Sequence, residues 1–521
     1  MAEAALVATL TAPPLVDGSE IAALPPAVTC LEVRADRVGD LDPGWLRGHF
    51  RGQLLYTLRS AEEGGEFAGT AQQRRSRLLA AAERYDLVDL EGARDLAPEL
   101  LARLPAARRL LSWHGSAAVA AELRRRFEEL ARTAARLYRL GLRAARASDA
   151  LASLELLHAL RRPDVTAFGT GPAGAWSRLL APRLAAPIVF GGVADGLDGE
   201  GAFGVAQLIG DFGFPALPPV RRLFGIVGRA IGRSLSPRLH NDAYRRLRLP
   251  AFYLPFQSES FPAFLDEVEA GLAALGLPLC GLTVTAPHKE SALSSAGTAT
   301  PLARQAGAAN TMLRRGAGWQ ADTADALGVV GALGARGVAL AGRRVAVVGC
   351  GGAGRAAAAG LQQAGASVTL VNRGRGRGEH AASLLGLRFV PLAGFSARGY
   401  DLLVNATPCT GAGTDWPFAP EDLDAGAVLV DLPYGPEPTP LVAAVTARGR
   451  LAIDGREVLL IEARHQFELM TGRRMPAATA RALAGGDGVL PCYDRSDRGN
   501  STTAAAGHRL ELTRPRNGRA G

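Results

Sequence analysis

The residue of greatest chemical interest is a lysine, Lys289, because it is the only one in the 521-residue chain. The other 58 of the 59 basic residues are arginine. The pKa of a lysine can be tuned by its surroundings, whereas an arginine does not readily give up its proton. Lys289 is therefore a candidate general acid/base, and the competing interpretation is a solvated surface lysine.

A glycine-rich loop downstream indicates dinucleotide binding. The predicted strand 343–348 leads into Gly349-Cys-Gly-Gly-Ala-Gly354 and then into an alanine-rich helix. Glycines at these spacings permit a tight turn and bring the pyrophosphate to the helix N-terminus. The alternative is a structural turn between a strand and a helix.

The residues after the next predicted strand favour NADP(H) over NAD(H). That strand, 367–371, is followed by Asn372-Arg373, Arg375 and Arg377 rather than by an acidic residue. Guanidinium groups bind a 2′-phosphate through charge-assisted pairs, whereas a carboxylate would repel it. A basic loop exposed to solvent is the competing interpretation.

Composition excludes several other classes of protein. The net charge of +9 comes from dispersed arginines, which does not match the clustered basic stripe of a nucleic-acid-binding protein. No apolar stretch is long enough for a membrane helix. The five cysteines are widely spaced and form no metal-ligand pattern, so we expect a reduced, cytoplasmic protein without a bound metal.

Hydrophobic patterning predicts an α/β protein with two folded halves. Eight short apolar runs alternate with helical patterns in residues 1–200, which is typical of a (β/α)₈ barrel or of a trimmed form of one. A linker at 201–220 and a second α/β unit that contains the glycine loop and ends near residue 484 follow. The polar tail at 485–521 is expected to be disordered.

Residues 222–484 resemble shikimate dehydrogenase. The resemblance rests on the order and spacing of these motifs around the glycine loop: Ser234-Leu-Ser-Pro237, Thr283-Val-Thr-Ala-Pro-His-Lys289, Ala308-Ala-Asn-Thr311, Asp322-Thr-Ala-Asp325, Asn405-Ala-Thr407, Asp431-Leu-Pro-Tyr434 and Asp454-Gly455. It implies NADPH-dependent reduction of 3-dehydroshikimate to shikimate, a step of chorismate and aromatic amino-acid biosynthesis. It also implies a substrate-binding α/β domain at 221–330, a Rossmann NADP-binding domain at 331–455 and helices at 456–484 that return to the substrate domain.

The same resemblance implies roles for individual residues. Lys289 and Asp325 would form the catalytic pair, although a helix N-cap is a second possible role for Asp325. The substrate-binding positions would be Ser234, Ser236, Thr285, Asn310, Tyr434 and Glu462. The cofactor-binding positions would be Gly349, Gly351, Gly352, Ala353, Gly354, Asn372, Arg373, Arg377, Asn405, Thr407, Leu432 and Gly455.

Four positions depart from the family pattern. Thr283, Thr323 and Ala326 replace residues that the family usually has, and Glu462 stands where the family has a substrate-binding glutamine. Glutamate adds a negative charge and loses two amide donors, while the substrate itself carries a carboxylate. A quinate- or aminoshikimate-type substrate therefore stays open as an alternative.

The N-terminal half resembles type I 3-dehydroquinate dehydratase. The matching segments are Glu32-Val-Arg34, Arg59-Ser-Ala-Glu-Glu63, Asp89-Leu-Glu91, Ser112-Trp-His114 and Ser177-Arg178. The resemblance implies that Glu63 and His114 are general acid/base groups and that Arg34, Arg59 and Arg178 hold the substrate. Together with Glu32, these residues would form a vestigial site.

That family acts through a lysine Schiff base, and the corresponding position here is Arg139. Residues 1–288 contain no lysine, and a guanidinium forms no imine under these conditions. We therefore expect a dehydrogenase carrying an inactive barrel. A bifunctional dehydratase/dehydrogenase and a non-catalytic sensor of NADP(H) and a shikimate-like metabolite are the alternatives, and the oligomeric state is left open.

Overall fold

The computed structural model describes residues 4–117, 119–217, 219–409 and 416–483. The predicted disordered tail, 485–521, lies outside these residues. Within the described ranges, no helix combines the length and apolar character needed to cross a membrane.

The first sheet is an almost closed barrel of parallel strands. Their order around the barrel is β7-β6-β5-β4-β3-β2-β1-β8. Between β7 and β8 the Thr166 hydroxyl donates to the Ile188 carbonyl at 3.4 Å, and Phe168 faces Phe190 with ring centroids 6.1 Å apart. The strands are β1 Ala5–Leu10, β2 Val28–Arg34, β3 Gln53–Thr57, β4 Leu87–Glu91, β5 Arg109–Gly115, β6 Leu137–Arg143, β7 Val165–Thr170 and β8 Ile188–Gly192. The eight predicted runs are these strands, so the barrel architecture is confirmed.

Helices cover the outside of the barrel. They are α1 Ser19–Ala22, α2 Ala35–Val38, α3 Pro43–His49, α4 Ala71–Arg84, α5 Pro98–Arg103, α6 Ala120–Leu130, α7 Leu151–Leu160, α8 Ala175–Leu180 and α9 Val205–Gly210. α4 shows how local sequence sets a start, because Thr70 and Gln73 form a reciprocal capping box at its N-terminus.

The structure differs from the expected linker at 201–220. Helix α9 lies within this range, and Phe203, Phe212 and Phe214 are buried against the barrel and the next domain. The Gly, Pro and Asp content of this segment resembles that of a linker, but its phenylalanines bury apolar area that solvent would otherwise contact.

The second sheet builds the domain that follows the barrel. Its strands are ordered β10-β9-β11-β13-β14-β12, and the β11–β13 and β13–β14 pairs are antiparallel. The strands are β9 Arg222–Gly228, β10 Ala251–Gln257, β11 Leu279–Val284, β12 Thr298–Ala299, β13 Thr311–Arg315 and β14 Gly318–Asp322. The helices are α10 Ser236–Arg246, α11 Phe261–Ala263, α12 Ala270–Ala274, α13 Lys289–Ser294, α14 Pro301–Ala306 and α15 Asp325–Ala335.

The third sheet is parallel and has the order β17-β16-β15-β18-β19-β20. Its strands are β15 Arg344–Val348, β16 Ser367–Asn372, β17 Arg388–Pro391, β18 Leu402–Asn405, β19 Val428–Asp431 and β20 Ala452–Ile453. The accompanying helices are α16 Gly352–Gln363, α17 Arg375–Leu385, α18 Pro440–Ala447, α19 Gly455–Thr471 and α20 Ala477–Leu483. α19 packs against the second sheet, where Phe467 and Met470 share a buried cluster with Phe224 and Tyr244.

The barrel and the second domain share a continuous hydrophobic core. Trp176 of α8 is fully buried, and its ring lies 5.2 Å from that of Phe256 in β10. Arg146 adds a polar contact at the edge, pairing with Glu267 at 3.2 Å. Because a shared apolar core disfavours independent motion, the two halves are expected to keep a fixed relative orientation.

Candidate active site

The lone lysine and Asp325 meet although they are 36 residues apart in the chain. The Lys289 Nζ donates to both carboxylate oxygens of Asp325, at 2.7 and 2.8 Å. Lys289 is the first residue of α13 and Asp325 the first of α15. Asp325 is thus not the N-cap, which is Ala324, and its carboxylate lies where the free backbone N–H groups of α15 stabilise negative charge.

This pair faces a cavity of about 170 Å³ between the second and third sheets. Most of the predicted substrate-binding residues line it, together with several of the cofactor-binding ones. The lining includes Ser236, Thr285, Lys289, Asn310, Asp325, Tyr434 and Glu462, and also Ala353, Leu432 and Gly455.

Neighbouring contacts orient the polar lining groups. The Asn310 Oδ1 accepts from the Ala324 N–H and the Thr311 hydroxyl, which leaves its NH₂ group to meet a ligand. Ser234 lies beside the cavity, where its Oγ accepts from the Ser236 N–H at 3.3 Å. Burial raises the pKa of the Tyr434 phenol, and its hydrogen bond with Ser234 opposes that shift.

Two further polar residues that the sequence did not predict to bind the substrate also line the cavity. Thr283 contacts the cavity and is hydrogen-bonded to the buried Tyr253 hydroxyl. Gln466 donates from Nε2 to the Thr311 Oγ1 at 3.1 Å. Gln466 follows Glu462 by four residues on α19, and this spacing places both on one face of a helix, which is the signal that could have revealed it.

The glycine loop is built for close approach. Gly349 has φ +109°, and a Cβ on Gly354 would lie 1.8 Å from the Gly349 carbonyl oxygen. A Cβ on Gly352 would lie 2.9 Å from the Cβ of Lys289, whereas a Cβ on Gly351 would meet nothing within 4 Å. The loop therefore packs onto the lysine and leaves room at the N-terminus of α16 for a pyrophosphate.

The loop after β16 adds positive charge beside the glycine loop. Asn372 ties the two together, because its Oδ1 accepts from the Cys350 N–H at 3.1 Å and its Nδ2 donates to the Gly374 carbonyl. Arg373 and Arg377 are exposed. Burial raises the pKa of the Cys350 thiol to about 11, and the positive charges of Arg355 and Arg377 oppose that shift. These residues suit a phosphorylated dinucleotide.

Asn405 is placed differently from the expectation that it lines the cofactor site. It is fully buried, its Nδ2 donates to Asp431 and to the Cys409 carbonyl, and its Oδ1 accepts from Thr407. Asn405 therefore holds the turn that carries Thr407. Burial raises the pKa of Asp431 to about 6, although hydrogen bonds from Thr439 and Asn405 oppose the shift.

The barrel holds a second cavity, of about 270 Å³, at the ends of its strands. Its lining contains all the predicted vestigial residues and Arg139. Glu32, Asp89, Arg139 and Phe190 come from β2, β4, β6 and β8, the alternate strands that share one interior layer in such barrels.

Arg139 is the centre of this layer. Its Nη1 donates to Glu32 at 2.7 Å, its Nη2 donates to Asp89, and the guanidinium lies 4.7 Å from the centroid of the Phe190 ring. Burial would raise the pKa of Glu32, but Arg139 and Arg34 outweigh it and lower that pKa to about 2. Arg139, which we expect at the position of the Schiff-base lysine, is thus a permanently charged, ion-paired group.

The other barrel residues remain together around this layer. The Glu63 carboxylate accepts from the His114 N–H at 2.9 Å and lies 3.3 Å from its Nδ1. Burial and neighbouring arginines hold the pKa of His114 well below its usual range, while burial and the Glu91 charge raise the pKa of Glu63 to about 8. Arg34 is engaged by Asp36 and Glu200, whereas Arg178 stacks on Phe168 at 4.1 Å.

Comparisons with known proteins match the two halves separately. Residues 226–312 match the shikimate dehydrogenase substrate-binding domain, and residues 19–209 match type I 3-dehydroquinase. A shikimate dehydrogenase (NADP(+)) from Syntrophobacter fumaroxidans is 34% identical over 265 residues, which is 50% of this chain and 90% of that protein. 

Two further relatives extend the comparison. The chloroplastic bifunctional 3-dehydroquinate dehydratase/shikimate dehydrogenase of Arabidopsis thaliana is 25% identical over 456 residues, 81% of this chain and 73% of that protein. The chain is also similar to a Thermus thermophilus shikimate 5-dehydrogenase, whose crystal structure is a complex with NADP(H) and shikimate. The two sequences are 32% identical over a match that covers 50% of this chain and 98% of that chain, and the TM-score is 0.45. The N-terminal half of the chain is a type I 3-dehydroquinase-like barrel. Through its C-terminal half, the chain belongs to the shikimate dehydrogenase family.

Proposed function

We propose that the C-terminal half reduces 3-dehydroshikimate to shikimate with NADPH. The observation that carries the proposal is the Lys289–Asp325 pair, which lies in a cavity next to the glycine loop. NADPH would supply the hydride to the ketone carbon. The ketone oxygen gains negative charge as that happens, so a positioned ammonium both stabilises the charge and donates the proton.

Each remaining group has a task in this reaction. Asp325 holds the ammonium at the cavity wall through hydrogen bonds to both of its carboxylate oxygens. Ser234, Ser236 and Tyr434 supply hydroxyls on one side for the substrate carboxylate, and Thr285 and Asn310 supply polar groups for its hydroxyls. Arg373 and Arg377 favour a cofactor with a 2′-phosphate.

The experiment is an NADPH absorbance assay of the purified full chain with shikimate and NADP⁺, run beside quinate and aminoshikimate. We expect NADPH formation with shikimate. Turnover with quinate or aminoshikimate alone would assign a different substrate, and NADPH formation with none of the three would contradict the proposal.

A non-catalytic sensor is less consistent with the site. A protein that only binds NADP(H) and a metabolite has no need for a proton donor in contact with both the glycine loop and the ligand cavity. The cytoplasmic location expected from the cysteines stays a prediction, as does the restriction to small-molecule partners.

For the barrel, we propose that no Schiff-base dehydratase activity remains. Arg139 is held by two carboxylates and an aromatic ring, and a guanidinium is not a nucleophile under these conditions. Borohydride treatment in the presence of 3-dehydroquinate should trap no adduct on residues 1–220. A trapped adduct there would establish the bifunctional alternative.

A further inference from the structure

Glu462 brings a second carboxyl group into the cavity of the lysine–aspartate pair. It lies on α19, where that helix packs closely on α15. A Cβ on Gly328 would lie 2.6 Å from the Cγ of Glu462 and 2.8 Å from its Oε1. The glycine therefore makes the space that the glutamate side chain occupies, and the close approach keeps its carboxyl at the cavity wall.

The charges around Glu462 disfavour its ionised form. The groups that face it are Asp325 from α15, Lys289 from α13 and Tyr434 from the loop after β19. Lys289 is the one cation among them, and both oxygens of Asp325 already engage it. Two ionised carboxylates would have to share that single ammonium in a partly buried site.

A neutral carboxyl group has different chemistry from a carboxylate. Burial and, to a smaller extent, the charge of Asp325 raise the pKa of Glu462 to about 8, although Lys289 opposes the shift. Below that pH the group is a carboxylic acid with one O–H donor and one carbonyl acceptor. It can then both donate to and accept from a hydroxyl group, as an amide does, without repelling an anionic ligand.

We propose that Glu462 is a specificity-determining residue that binds a substrate hydroxyl through its neutral carboxyl group, so that its ionisation releases the substrate. The inference rests on the proposed function of the same cavity. The negative charge of the proposed substrate carboxylate would add to the charge of Asp325 in making the ionised form of Glu462 unfavourable.

The test compares pH profiles of KM and kcat for shikimate between pH 6.5 and 9.5, using the intact chain with saturating NADP⁺. The variants are Glu462→Gln, which keeps the shape without the ionisation, and Glu468→Gln, an exposed glutamate on the same helix. Taking the ratio of wild-type KM to Glu462→Gln KM cancels the titrations of the substrate and of groups that the substitution does not affect.

We expect this ratio to rise by up to roughly tenfold per pH unit above the pKa, with little pH dependence of the kcat ratio. The Glu468→Gln variant should follow the wild type. A KM ratio that stays constant with pH would overturn the inference, and so would a folded Glu462→Gln variant without activity, because the neutral group is expected to suffice.

Ligand binding without turnover gives a second measurement. The rise in wild-type Tm caused by shikimate alone should be larger at pH 7 than at pH 9. An equal rise at both pH values would also overturn the inference, whether or not Glu462→Gln folds. If neither the wild type nor Glu462→Gln forms NADPH, the proposed function itself fails, and this outcome is distinct from a KM ratio that does not change with pH.

Discussion

The barrel cavity and the dehydrogenase cavity both contain a cation held by carboxylates, but the two cations have opposite uses. Arg139 has two carboxylate partners and an aromatic ring, and it occupies a layer of the barrel interior. Lys289 has one carboxylate partner and lies against the glycine loop. An arginine saturated with partners stabilises a fold, whereas a lysine with a single partner and an open side can exchange a proton.

The pKa directions extend this comparison. In the barrel, arginines lower the pKa of Glu32 to about 2 despite its burial. In the dehydrogenase, burial and Asp325 raise the pKa of Glu462 to about 8. Neighbouring arginines thus keep Glu32 ionised, while the single ammonium shared with Asp325 leaves Glu462 neutral. The contrast holds for these two residues and not for every acid of the barrel cavity, because burial and the Glu91 charge raise the pKa of Glu63 to about 8.

The largest expected effect is on turnover, where replacing Lys289 and replacing Arg139 should have different consequences. Lys289→Met should lower kcat for shikimate oxidation by about 10²–10⁴-fold, because a positioned proton-transfer group contributes on that order. Lys289→Arg should also be impaired, since it keeps the charge but not the exchangeable proton. Arg139→Met should leave kcat unchanged in the folded protein. Near-normal turnover by Lys289→Met would remove the distinction between the cavities.

The second prediction concerns stability, for which Arg139 is expected to be the important cation. Arg139→Met should destabilise the barrel by about 3–5 kcal/mol, because the buried Glu32 would lose its ion-pair partner and the buried Asp89 would keep only Arg59. Arg143→Met is the matched control, since Arg143 borders the same cavity but is exposed. Calorimetric Tm values check the difference, and equal shifts for the two variants would contradict a structural role for Arg139.

The third prediction uses the titration of Glu32. Because its folded pKa, about 2, lies below its ordinary value of 4.5, its contribution is complete above pH 4.5 and is lost as pH falls toward 2. The loss amounts to about 3 kcal/mol. Glu32→Gln should therefore flatten the fall in Tm over this range, whereas the exposed Glu128→Gln should behave as the wild type. Parallel curves for all three proteins would argue against the barrel ion pairs.

The smallest effect concerns arginines that face solvent rather than internal carboxylates. The double variant Arg373→Ser/Arg377→Ser should raise KM for NADP⁺ about tenfold, equivalent to about 1.4 kcal/mol, and leave KM for NAD⁺ unchanged. Arg375→Ser is the control, because Arg375 already pairs with Glu379 at 2.8 Å. A similar change for both cofactors would mean that these arginines do not contact a 2′-phosphate.

Local patterns in the sequence were sufficient to predict the architecture. Strand periodicity and turn residues identified the barrel strands, and the strand–glycine loop–helix order predicted the dinucleotide site. Composition alone made Lys289 conspicuous and excluded an imine at Arg139. These features depend on residue type and on near neighbours in the chain, so a single sequence carries them.

Only the tertiary structure decided how distant residues combine. It placed Lys289 between Asp325 and Gly352, surrounded Arg139 with side chains from other strands, and packed 203–214 into a core. It also turned Asn405 inward to hold a turn and gave Glu462 its position beside Gly328. Such contacts join segments tens to hundreds of residues apart. Packing and burial set their geometry and their protonation, and neither is encoded in local sequence spacing.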